Sequence, residues 1–269
     1  MELSDFLTVV VALNDKEEST YSHILQSVGL PEPEIVDRKL WNKPWSLKVV
    51  WQQKMGLANE VKEVVGDRPA IIMSNTHYPI TSCYKEVPII ILDSHCDDEE
   101  NHNNQVIVNG NSIDKFSNAN FLLFREGIRY ILGTKAKSKL SNIKTYRPSE
   151  VYNILDTNLP DRFLMSLEVD VFDHSVTTAY NPRYGQNSML ERIGRRLGYK
   201  GHLDEKTVLD LSKKLVHSRE LAGLHIAGYD PDRDPGYKTA ELLHRYLKGV
   251  LNEYLEHKPH KQVQPVQER

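Results

Sequence analysis

Pro88-Ile89-Ile90-Ile91-Leu92-Asp93-Ser94-His95-Cys96-Asp97-Asp98 is the stretch on which the fold turns. A run of apolar residues, with no alternation between core and solvent, passes abruptly into a polar, acidic segment. A strand that is apolar on both faces belongs in a parallel sheet covered by helices on either side. Phe6–Leu13 (FLTVVVAL), Pro69–Met73 (PAIIM) and Phe163–Val169 have the same character, and Ile128–Leu132, Ile143–Tyr146 and Ala222–Ala227 are further strand candidates. Helical periodicity falls between and after them. Ser46–Val65 carries Leu47, Val50, Trp51, Leu57, Ala58, Val61, Val64 and Val65 near a 3.6 spacing, with Gly66 as its stop. Asp204–Val216 has Asp204 as N-cap, and Tyr237–Leu255 places Leu242, Leu243, Tyr246, Leu247, Val250, Leu251 and Tyr254 on one face. Strands alternating with helices predict an α/β protein, a three-layer αβα arrangement with a mostly parallel, doubly wound sheet. Residues 1–256 read as one domain. The tail 257–269, polar, without periodicity and holding two prolines, reads as disordered.

The formal charge is −3, and Lys135-Ala136-Lys137-Ser138-Lys139 reads as a solvated face. No basic surface is therefore expected, which argues against nucleic acid or an anionic membrane as partner. Cys83 and Cys96 are too few for a disulfide framework. No apolar run approaches the length of about 18 residues that a membrane span needs. The start, Met1-Glu2-Leu3-Ser4-Asp5, lacks the basic opening of a signal peptide. The expectation is a cytoplasmic protein acting on a small molecule.

In open α/β sheets, ligands bind beyond the carboxyl ends of the strands. Three strands end there in metal-ligand residue types. Asp93, His95 and Asp97 alternate after the Pro88–Leu92 strand, so an extended backbone turns them to one side. Glu168 and Asp170 share a face at the end of the next such strand, among Leu167, Val169, Val171 and Phe172. His77 follows the Pro69–Met73 strand through Ser74-Asn75-Thr76. Each motif alone has an ordinary reading, as an acidic loop, an exposed strand edge or a loop histidine. Together they place several carboxylates at one sheet edge, where they repel one another unless a cation holds them. Histidines with carboxylates suit Mn²⁺, Zn²⁺ or Fe²⁺. The ligands suffice for two ions sharing bridging carboxylates.

These spacings resemble the ureohydrolase (arginase/agmatinase) family and, more distantly, the metal-dependent deacetylases of the same fold. Asp93-Ser94-His95-Cys96-Asp97 matches that family's DxHxD motif. Ser166-Leu167-Glu168-Val169-Asp170-Val171-Phe172-Asp173 is similar to its SxDxDxxD motif, with Glu168 for the first Asp. Ser74-Asn75-Thr76-His77 stands for Gly-Gly-Asp-His, keeping the histidine and losing both glycines. Tyr180-Asn181-Pro182-Arg183-Tyr184-Gly185 and Tyr229-Asp230-Pro231-Asp232-Arg233-Asp234-Pro235 resemble later loops. The likeness runs from about residue 69 to 256.

The resemblance implies an arginase/deacetylase fold and a metal-dependent hydrolase cleaving a non-peptide C–N bond (amidine, guanidine or amide) with a metal-activated water. It implies one ion on His77, Asp93, Asp97 and Glu168, and a second on Asp93, His95, Glu168 and Asp170. Two Mn²⁺ are expected, or one Zn²⁺ or Fe²⁺ on Asp93, His95 and Glu168. A homo-oligomer is compatible with the family. Where the ureohydrolases carry a guanidinium-binding Glu, this sequence has Gly228, so arginine is not the expected substrate. Asp97, His102 and His174 are candidates for catalytic roles, and Tyr229, after Gly228, could polarise an amide as in the deacetylases. Asp173 resembles a supporting carboxylate. Cys96 is read as buried filler. The alternative is a non-catalytic protein of this fold, a binding or scaffold partner with one metal or none.

Overall fold

A computed structural model describes residues 2–12, 15–37, 59–74, 87–94, 129–132, 143–173, 175–177 and 201–257. One eight-stranded sheet runs through it: β1 Leu7–Ala12, β2 Glu34–Asp37, β3 Ala70–Ser74, β4 Ile89–Leu92, β5 Arg129–Leu132, β6 Ile143–Tyr146, β7 Arg162–Glu168 and β8 Glu220–Ala227. The spatial order is β2-β1-β3-β8-β7-β4-β5-β6, and every pairing is parallel.

The apolar runs become strands because both sheet faces are buried. Val9, Val10 and Val11 are each fully buried, and successive residues along β3 and β4 are buried as well. Val10, Ile71, Ile90, Met165, Leu167 and Ile226 belong to a large core under three helices: α1 Asp15–Ser27, α2 Glu205–Val216 and α3 Lys238–His257. Those helices contribute Tyr21 and Leu25, Val208 and Leu211, and Leu243 and Leu247. Val9, Ile72, Ile91 and Leu164 form a smaller core on the opposite face with Val61 and Val65 of the helical residues 59–65. Helices therefore lie on both sides of the sheet, in three layers.

The local signals act as expected where they are described. Asp204 accepts the Thr207 N–H at 2.6 Å and caps α2. Gly66, at φ +55°, ends its helix with its N–H on the Lys62 carbonyl. Residues 46–58, the lysine cluster at 135–139, Cys83, Cys96, the loop at 180–185 and the tail beyond His257 lie outside the described residues. One strand ends earlier than its sequence suggests. β7 stops at Glu168, and Val169–Val171 form a 3-10 turn, so Asp170 is not on the pleat. The cause is a second chain segment: Leu203 and His202 donate to the Val171 carbonyl, and Asp173 donates to Leu203. Gly201 permits the approach, because a Cβ there would lie 2.2 Å from the Asp170 carbonyl oxygen.

Candidate metal centre

From β4 the chain leads away to β5 on one side, and from β7 it leads to β8 on the other. Crossovers that depart in opposite directions leave a crevice between the carboxyl ends of β4 and β7, where ligands bind in doubly wound sheets. Asp93 follows β4 immediately and extends its ladder, donating its N–H to the Leu132 carbonyl of β5 at 2.9 Å. Leu92 pairs with Leu167, so Asp93 is one rung beyond, level with Glu168 at the end of β7. Alternation puts both on the face that carries Ile91 and Leu164. The 3-10 turn returns Asp170 to the same place. Its Oδ1 accepts the Ser94 N–H at 3.3 Å, linking the turn after β7 to the end of β4.

Asp93, Glu168 and Asp170 are 2 %, 7 % and 3 % exposed. Among the described residues no donor reaches the buried oxygens Glu168 Oε2 and Asp170 Oδ2, although both side chains have other contacts. Three buried carboxylates at neighbouring strand ends are hard oxygen donors of the kind a divalent cation satisfies, although among the described residues these three do not by themselves close into one ligand cluster. The chemistry of these donors, buried carboxylate oxygens, fits the metal that the motifs imply. His77, His95, Asp97, His102 and His174 lie outside the described residues.

The structure gives Tyr229 a different task from the one its sequence position suggests. Its ring is 1 % exposed, in the core beside Tyr21, and its hydroxyl donates to Asp234 Oδ2 at 3.0 Å. Burial first, and Asp234 second, raise the phenol well above its usual range. Asp234 also receives the N–H groups of Thr239 and Ala240 and so caps α3. Tyr229 thus fastens the last loop to the terminal helix, and its hydroxyl is committed there rather than presented to a substrate. Asp173 holds its own turn, accepting the Ser175 N–H at 2.8 Å.

One polar group in this region escaped the sequence reading. His225, fully buried in β8, joins Ser74 Oγ of β3 at 2.8 Å through Nε2 and Ser166 Oγ of β7 at 2.9 Å through Nδ1. Ser166 is two residues before Glu168 on the same face, so the bridge lies directly below the carboxylates. The signal was available: a histidine inside Leu224-His225-Ile226-Ala227 must find partners when buried.

No protein-family model and no curated protein matches the chain. Solved structures do. Arginase from Bacillus subtilis superposes with a TM-score of 0.64 at 14 % identity, over 92 % of this chain and 98 % of that one. Agmatine ureohydrolase of Thermoplasma volcanium gives 0.61 at 14 % identity, over 94 % and 90 %. Formimidoylglutamase from Bacillus subtilis gives 0.61 at 15 % identity, over 94 % and 88 %. The parallel sheet and its carboxylate crevice define a doubly wound α/β protein. More narrowly, the chain has the fold that these arginase, agmatine ureohydrolase and formimidoylglutamase structures share.

Proposed function

We propose that this protein is a cytoplasmic metal-dependent hydrolase that cleaves a non-peptide C–N bond in a small amidine, guanidine or amide. The observation that supports the reading is the burial of Asp93, Glu168 and Asp170 at the adjoining carboxyl ends of β4 and β7, in a fold shared with the ureohydrolases. The proposed ligands are these three with His77, His95 and Asp97, arranged for two Mn²⁺ ions. Bound divalent cations supply Lewis acidity and a water of lowered pKa. Within the chain, the Ser94 N–H holds Asp170 against the end of β4, and Asp93 is fixed by its ladder bond to Leu132. His102 and His174 are proposed to move the proton to the leaving nitrogen. Gly228 offers no carboxylate to a guanidinium, so the substrate is proposed to be other than arginine.

Elemental analysis of protein purified with Mn²⁺, beside Asp93→Ala, tests the centre. Close to two ions per chain, lost in the variant, is expected. A panel of guanidino and amidino compounds, assayed for released urea or ammonia, then tests turnover. Asp170→Ala should lower the rate at least about a thousandfold, by the loss of charge stabilisation in the site. Folded protein that binds no Mn²⁺ and turns over nothing in the panel overturns the reading.

A further inference from the structure

Glu168 and Gly228 are the two positions at which the site departs most from the motifs it resembles, and the structure brings them into contact. Gly228 follows β8 directly, and Ala227 pairs with Glu168. A Cβ built on Gly228 would lie 1.9 Å from Glu168 Oε1 and 2.8 Å from its Cδ. The Glu168 carboxylate therefore occupies the volume that a side chain at 228 would fill. Gly228 also sits at φ +77°, where residues with a Cβ are strained. Glutamate is one methylene longer than aspartate, and its extra length is accommodated across the end of β8.

We propose that Gly228 is a positioning residue for Glu168, and that the two form one coupled unit. The missing side chain after β8 is what allows a carboxylate from β7 to lie over that strand end. This rests on the metal-centre reading for its functional consequence, but not for its geometry.

The test is a double-mutant cycle with a matched control. Gly236 has φ +85° and nothing within 4 Å of its virtual Cβ, so Gly236→Ala isolates the backbone cost. That variant should lose about 3 °C in Tm and bind Mn²⁺ like the parent. Gly228→Ala should weaken Mn²⁺ binding by at least about tenfold in calorimetry and lower the metal-free Tm further than the control. Glu168→Asp should abolish that excess, so that Gly228→Ala no longer weakens Mn²⁺ binding once residue 168 is shortened. A Gly228→Ala effect that is the same with Glu or Asp at 168, in both measurements, overturns the proposal. If the parent binds no Mn²⁺, the hydrolase reading fails, and the metal-free Tm coupling alone decides between the two outcomes.

A separate cluster, at the opposite edge of the sheet, carries a second inference. His217, just after α2, has Nδ1 2.8 Å from Glu253 Oε1, and His257 Nε2 is 3.6 Å from the same oxygen. One ligand atom of each residue lies within 4.8 Å of the others, and the imidazole rings are 4.5 Å apart. Donors around a tetrahedral zinc stand about 3.4 Å apart, a closure that two half-exposed imidazoles reach by rotation. We infer that His217, Glu253 and His257 form a zinc-class site that staples α2 to α3, with the fourth position left to water. In an Asp93→Ala background, which disables the crevice, zinc should bind once per chain and raise Tm by about 5 °C. Adding His217→Ala or His257→Ala should abolish both effects. Zinc binding that survives both substitutions, or that is absent before them, overturns the site.

Discussion

The two faces of β7 and β8 are built from one chain in alternation, yet they do opposite things. On one face Phe163, Met165 and Leu167 join Leu224 and Ile226 in the large core under α1, α2 and α3. On the other, Ser166, Glu168 and His225 replace apolar residues as the strands approach their carboxyl ends, after Leu164 and Ala222 have begun that face as ordinary core. The first face lowers free energy by burial and holds the sheet. The second holds polar groups at a cost that only partners can offset. The division is therefore one between an apolar, stabilising face and a polar face on which the proposed site rests, set by side-chain period rather than by distance along the chain.

The sharpest way to break this comparison is to truncate one side chain on each face. Phe163→Ala should cost about 3–5 kcal/mol in urea unfolding, while folded protein keeps its parent Mn²⁺ content. Glu168→Gln should do the reverse: metal binding is lost, and the metal-free protein is at least as stable as the parent, because one of three buried acidic groups is removed. A Glu168→Gln variant that loses stability without metal, as a core truncation does, would remove the distinction between the faces.

The same contrast explains what the sequence made legible. Continuous apolar runs mark strands buried on both faces, and β1, β3, β4, β7 and β8 fall on such runs to within a residue or two. β2, Glu34-Ile35-Val36-Asp37, offers only two apolar residues between acids at the sheet edge, and α1 buries a short stripe of Tyr21, Ile24 and Leu25. Neither has enough apolar pattern to announce itself. In the candidate site, the burial of Asp93, Glu168 and Asp170 at strand ends was legible because carboxylates among Ile, Leu and Val are conspicuous. The turn that carries Asp170 was not, because its cause lies at Gly201–Leu203, some thirty residues away in the chain. Tyr229 was misread for a related reason. A Gly-Tyr step says nothing about which side of the strand end the ring takes, and packing against Tyr21 decides it.

The next prediction probes the polar face without touching the carboxylates. His225→Leu removes a shared partner of Ser74 and Ser166 and should cost about 1–3 kcal/mol, the usual penalty for stranding buried hydroxyls. Adding Ser74→Ala and Ser166→Ala should recover most of that loss in thermal unfolding. If it does not, the bridge is holding strand geometry rather than satisfying polar groups, and Mn²⁺ affinity should fall with it.

The smallest effect is expected on the apolar side, where the one polar atom of Tyr229 is satisfied by Asp234. Tyr229→Phe should cost about 1 kcal/mol near neutral pH. Its pH dependence separates this role from a catalytic one. Burial raises the folded phenol above its ordinary value of 10.0, so the unfolded chain ionises first. Above about pH 10 the unfolded state then binds fewer protons than the folded one, and the tyrosine's contribution to stability declines with rising pH until the folded phenol itself ionises. The phenylalanine variant lacks that decline, so the two unfolding free energies should converge between pH 8 and 11. Parallel curves over that range would mean that the hydroxyl is not held neutral in the core, and would reopen the crevice to it.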